Sequence, residues 1–151
     1  MKKRHWIIFV ILSVTLAGCA ADPSKPYSFR QKESQIVEIS ILVQNKEYSN
    51  WEERFEVIVE LDPSQYSYFL EKLSSVKGQP FFNPPGTDFG LYVIRITYID
   101  GEEEFISCDN NAYLRPGKEL RYDTYWFSDK DGFDQLIQEF IVCGTEQDSV
   151  S

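Results

Sequence analysis

The chain has 151 residues, 24 of them acidic and 15 basic, for a net charge of −9. That sign excludes a nucleic-acid partner held by neutralised phosphates. Its single histidine is His5, so nothing beyond that point offers an imidazole for Ser-His-Asp or Cys-His catalysis or for metal ligation.

Lys2, Lys3 and Arg4 open the chain as a basic segment, and Trp6 to Leu16 follows as an apolar run broken only by Ser13 and Thr15. The run is shorter than the roughly 20 residues a membrane span needs and suits the apolar part of a signal peptide. Leu16-Ala17-Gly18-Cys19 at its end resembles the lipobox of bacterial lipoproteins. The resemblance implies a diacylglyceryl group on the Cys19 thiol and cleavage just before it. Residues 1–18 are then a signal peptide, and the remainder is held outside the cytoplasm on a cell membrane by acyl chains on Cys19. Two chains on one residue anchor stably where one is marginal. The leader takes His5 and its three basic residues with it, leaving the mature chain more acidic still. The resemblance covers the first 19 residues and implies no fold beyond them.

Residues 19–35 read as the lipidated cysteine and a tether. Pro23, Ser24, Pro26, Ser28 and Ser34 stand among charged residues with no apolar period. A single domain is expected over 36–144, with a flexible tail over 145–151. Val37, Ile39, Ile41 and Val43 alternate with Glu38, Ser40, Leu42 and Gln44, a first strand. Phe55, Val57, Val59 and Leu61 form the inward side of a second, pairing with the first as a hairpin.

Asp62-Pro63-Ser64-Gln65 is a helix start: an acidic cap, a proline at the first helical position and a capping-box partner. Tyr66, Phe69, Leu70, Leu73 and Val76 recur at helical spacing, and Gly78 is the expected stop. Gln79 to Gly90 is a proline-rich loop in which Phe81, Phe82 and Phe89 either pin it to the core or form a stiff recognition surface.

Leu91 to Ile99 is apolar on both faces and suits a central strand. Asp100-Gly101 predicts a type I′ turn into the strand Glu102 to Cys108. Ala112–Arg115 and Glu119–Phe127 are expected to pair around Pro116-Gly117. Ser128 is the expected cap of a last helix with Phe133, Leu136, Ile137, Phe140 and Ile141 on its apolar stripe, ending at Gly144. The order ββαββββα predicts an α+β fold, an antiparallel sheet of about five to six strands with both helices on one face.

Candidate chemistry is sparse. Asp129 to Asp134 looks like a calcium loop, but with Gly132 sixth, Phe127 and Gln138 fall where acids belong. Glu102-Glu103-Glu104 points to alternate faces of a hairpin, which suits no paired-carboxylate catalysis. No catalytic residue, metal or cofactor is expected. Cys108 and Cys143 are either a disulfide or two separate buried thiols. Tyr122, Tyr125 and Trp126 make an aromatic hairpin, the first choice for a binding surface. The phenylalanine loop is the second.

The functional expectation is an envelope lipoprotein with a non-enzymatic binding, accessory or inhibitor-like module. It contacts the membrane through its lipid and a protein or envelope polymer through the aromatic surface. The alternatives are a small hydrolase using carboxylates alone and a structural envelope protein without a discrete ligand.

Overall fold

The computed structural model describes residues 25–47, 53–80, 89–117, 120–123 and 125–147, with 143–147 described by backbone alone. The strands are β1 (Ile36–Gln44), β2 (Phe55–Glu60), β3 (Gly78–Pro80), β4 (Tyr92–Tyr98), β5 (Glu103–Ile106), β6 (Asn111–Leu114), β7 (Arg121–Tyr122) and β8 (Tyr125–Phe127). The helices are α1 (Tyr66–Ser75) and α2 (Lys130–Gln147). Six strands form one antiparallel sheet in the order β2-β1-β4-β5-β6-β7, and β3 pairs with β8 in a separate ribbon. The α+β architecture is the one the patterning implies.

One core joins both helices to one face of this sheet. Ile39 and Ile41 of β1, Ile94 and Ile96 of β4 and Ile106 of β5 are fully buried there against Phe69 and Leu73 of α1 and Phe133 and Ile137 of α2. Phe69 and Phe140 meet edge to face at 4.9 Å and lock the helices together. The opposite face carries a smaller cluster of Leu42, Phe89, Val93, Phe105 and Ala112, so β1 and β4 are apolar on both sides where Leu42 faces Val93, with Ser40 and Arg95 paired on the opposite face at their centres.

The β1–β2 pairing skips a residue between Ile41 and Leu42: Ile41 faces Val59, but Leu42 faces Val57. The extra residue resets the alternation of β2. Val59 joins the helix-side core, whereas Phe55 packs against the opposite cluster and Val57 is exposed. The simple alternation expected for the second strand therefore holds only over its second half.

Asp62 accepts from Ser64 N–H at 2.8 Å, and the Gln65 side chain accepts from Asp62 N–H at 3.0 Å, which completes the capping box. A 3-10 turn over Pro63–Gln65 leads into α1. The helix ends at Ser75, and Gly78, expected as its stop, instead opens β3.

The β4–β5 connection is not a type I′ turn. Among the described residues no non-glycine has positive φ, so Asp100 does not, and Gly101 alone takes φ +80°. Tyr98 N–H reaches Glu102 O at 2.9 Å and Gly101 N–H reaches Tyr98 O at 2.8 Å. This is a three-residue loop with glycine at its left-handed position.

Three further expectations give way near the C-terminus. The strand after Pro116-Gly117 is split: Tyr122 pairs with Ala112, but Tyr125–Phe127 leaves the sheet to pair with β3. Asp129, not Ser128, caps α2, accepting from Gly132 N–H at 2.9 Å, while Ser128 Oγ donates to Lys77 O. A carboxylate one residue later offers the first turn a charged acceptor as well as a cap. The helix then continues through Gly144 to Gln147, into the stretch expected as tail.

Candidate functional site

The stretch expected as tether is, from Lys25 onward, part of the folded domain. Lys25 N–H donates to Gly78 O at 3.0 Å and so flanks β3. Tyr27 is buried, and its ring meets Phe29 at 5.2 Å, Tyr125 at 5.0 Å and Phe127 at 5.5 Å. Gln31 donates to Asp100 at 2.8 Å and Glu102 at 3.0 Å. The reason is the alternation Tyr27, Phe29: an extended segment puts both rings on one side, where an open area of the sheet accepts them.

The fastening point is Glu104. Its β5 position opposite Ile96 and next to Tyr113 turns it to the helix side of the sheet, where it is fully buried. Tyr27 Oη donates to one carboxylate oxygen. Tyr98 Oη donates to the other at 2.5 Å, and Arg30 N–H reaches the same oxygen at 3.2 Å. Burial raises the Glu104 carboxyl above the usual carboxylate value, against the pull of these three donors. Burial, then the charge of Glu104, likewise raises the phenols of Tyr27 and Tyr98. Arg30 closes the cluster from outside: its guanidinium lies 3.8 Å from the Tyr113 ring centre and 2.6 Å from Asp123.

A carboxyl with a raised pKa is what acid–base catalysis asks for, yet this one is sealed. Both oxygens are held by protein donors and no surface reaches them. The chemistry of the cluster is that of a latch between residues 25–31 and the sheet. Two shallow grooves flank the latched segment. One, of about 300 Å³, runs along α1 between Phe29, Gln31, Glu33, Leu70 and Glu71. The other, of about 240 Å³, lies among Lys25, Pro26, Tyr27, Pro80, Asp123 and Tyr125. Glu104 lines neither.

The residues expected to form a binding surface are separated. Tyr125 packs into the helix-side core and donates from its hydroxyl to Lys25 O at 2.6 Å. Gly78 allows this, because a Cβ there would run into the Tyr125 ring. Tyr122 lies on the other face, half-buried against Phe89 at 6.1 Å. Phe89 is 1% exposed and belongs to the second core, whereas Phe81 and Phe82 lie outside the described residues. Among the described residues of the set, Trp126 alone is substantially exposed, at 36%.

Cys108 is a free, buried thiol, and burial followed by the charge of Asp109 pushes it up to about 11. The Cys143 side chain and Cys19 lie outside the described residues. No cluster of three or more metal-ligating side chains occurs among the described residues. None of the described helices is long and apolar enough to cross a membrane.

Sequence patterning missed Tyr27, Arg30, Tyr98 and Glu104 as a unit. A signal was present: Glu104 shares strand parity with the apolar Ile106, which marks it as a buried acid in need of partners.

The chain matches no known protein family, and no curated protein or solved structure is similar to it.

Proposed function

We propose that the protein is an extracytoplasmic lipoprotein, anchored through acyl chains on Cys19, that carries a non-enzymatic binding or accessory module. The observation that carries the anchor is the sequence Leu16-Ala17-Gly18-Cys19 directly after a basic and apolar leader. The latch supports it, since chain fastened to the domain from Lys25 transmits the position of an anchor to the domain with little slack.

The non-enzymatic reading rests on Glu104. A hydrolase using carboxylates alone needs a raised carboxyl open to substrate beside a second acid. The raised carboxyl here is enclosed by Tyr27, Tyr98 and the Arg30 backbone. A protein or envelope polymer is the expected partner of the exposed domain.

The test of the anchor is metabolic labelling with an alkyne-tagged fatty acid, followed by intact mass. Label on the wild type, its loss in Cys19→Ser, and a mature mass beginning at acylated Cys19 are the expected results. An unlabelled protein with residues 1–18 still attached would overturn the reading. For the module, stoichiometric recovery of one partner after cross-linking the anchored chain supports a binding role over a purely structural one.

A further inference from the structure

We infer that the outward face of the β3–β8 ribbon, centred on Trp126 with Lys25 and Lys77 beside it, lies against the bilayer that holds the anchor. The inference rests on the lipid anchor at Cys19 proposed above. It follows from a length of chain and from where that chain enters the domain.

Five residues, 20–24, lie between Cys19 and Lys25. Even fully extended, six steps of the backbone reach only about 20 Å. Lys25 is held to the domain at both its backbone groups, by Gly78 O and by the Tyr125 hydroxyl. A compact domain of this size is about 35 Å across, more than the connection can span. The far side of the domain therefore cannot turn to the membrane, and the side where Lys25 enters must stay near it.

The ribbon sits at that entry. Lys25 flanks β3, and β3 pairs with β8, so Trp126 is two strand spacings from the entry point, about 10 Å. Gln79 lies directly opposite Trp126, while Gly78 and Phe127 form the neighbouring pair whose side faces the core. Trp126 consequently projects from the outward side, and Lys77, exposed and two residues before Gln79, continues the same side. An indole with apolar body and polar N–H suits the headgroup layer, where tryptophan concentrates.

Charge is compatible with this end. The chain as a whole is strongly acidic, which repels an anionic surface. At the entry, however, Lys25 and Lys77 are exposed. Asp123 is paired with the Arg30 guanidinium at 2.6 Å and Asp129 caps the first turn of α2, while Asp22 in the connection adds one negative charge.

The lipidated full chain, reconstituted in vesicles of phosphatidylcholine and phosphatidylglycerol, tests the inference. In a Trp51→Phe background Trp126 is the one tryptophan left after the leader is removed. Lipids brominated near the headgroup should quench its emission by about half or more. Unlipidated protein made without residues 1–18 and carrying Cys19→Ser should show no quenching. Lengthening the connection by about ten Gly and Ser residues after Asp22 should abolish most of it while leaving the anchor in place. In the complementary chain, Trp126→Phe with Trp51 retained, the quenched component should disappear. Acylated, vesicle-bound protein whose Trp126 is unquenched would overturn the assignment of this face and leave the anchor standing. Undiminished quenching in the lengthened chain would overturn the role of the short connection. Absence of acylation, read by intact mass, would bring down both proposals together.

Discussion

The Tyr27 hydroxyl donates to the carboxylate of Glu104, 77 positions further along the chain. One hydrogen bond thereby ties the N-terminal segment of the described chain to the middle of the sheet. A second tyrosine, Tyr98, holds the same carboxylate from β4. The arrangement supplies a buried acid with donors and turns a stretch that composition alone marks as loose into part of the core.

Removing the Tyr27 hydroxyl leaves Glu104 short of one donor. Tyr27→Phe should cost about 1.5–3 kcal/mol, the range for a hydrogen bond to a charged group. Tyr27→Ala should cost more, about 3–5 kcal/mol, because the ring also fills space between Phe29, Tyr125 and Phe127. Urea unfolding followed by circular dichroism measures both. A Tyr27→Ala midpoint equal to wild type would show that the segment is not fastened to the domain.

Glu104 should give the protein a distinctive acid behaviour. Its native carboxyl is raised above the unfolded value of 4.5, so the native state holds the proton more tightly. The resulting stability is fully present below 4.5 and is lost as pH rises through the native value. The opposite trend from Glu38, Asp62 and Asp100, whose carboxyls are lowered, is common to wild type and Glu104→Gln and cancels in their difference. Wild type should therefore lose stability relative to Glu104→Gln as pH rises above 4.5. A difference that stays flat, or runs the other way, would contradict the assignment.

The start of α2 distinguishes two adjacent residues. Asp129→Ala should destabilise by about 1 kcal/mol through loss of the cap. Ser128→Ala should change stability by less than about 0.5 kcal/mol, since its hydroxyl makes only an exposed bond to Lys77 O. Equal effects from the two would return the cap to Ser128.

Cys108 should resist alkylation in the native protein near neutral pH, because burial keeps the thiol protonated up to about 11. Denaturant without reductant should make it reactive, as expected of the free thiol. Reaction only after reduction would instead establish the disulfide with Cys143 that the sequence also allowed.

Local chemistry made a good part of this fold legible in the sequence. The Asp62–Gln65 box, the helical recurrence of Tyr66, Phe69, Leu70 and Leu73, and the place, though not the type, of the turn at Gly101 are decided within a few residues of themselves. Short-range hydrogen bonds and steric limits act at that distance. The proposed processing signal at Leu16 to Cys19 rests on the same locality. Tertiary structure alone decided the rest. The skipped residue in the β1–β2 register turned Phe55 away from the core that Val59 enters. β8 left its hairpin for β3, which became available only because α1 stops at Ser75. Tyr27 found its partner on β5. None of these has a local signature, because strand parity can be reset by a single residue. A buried carboxylate is likewise satisfied by whichever donors the completed sheet brings to it.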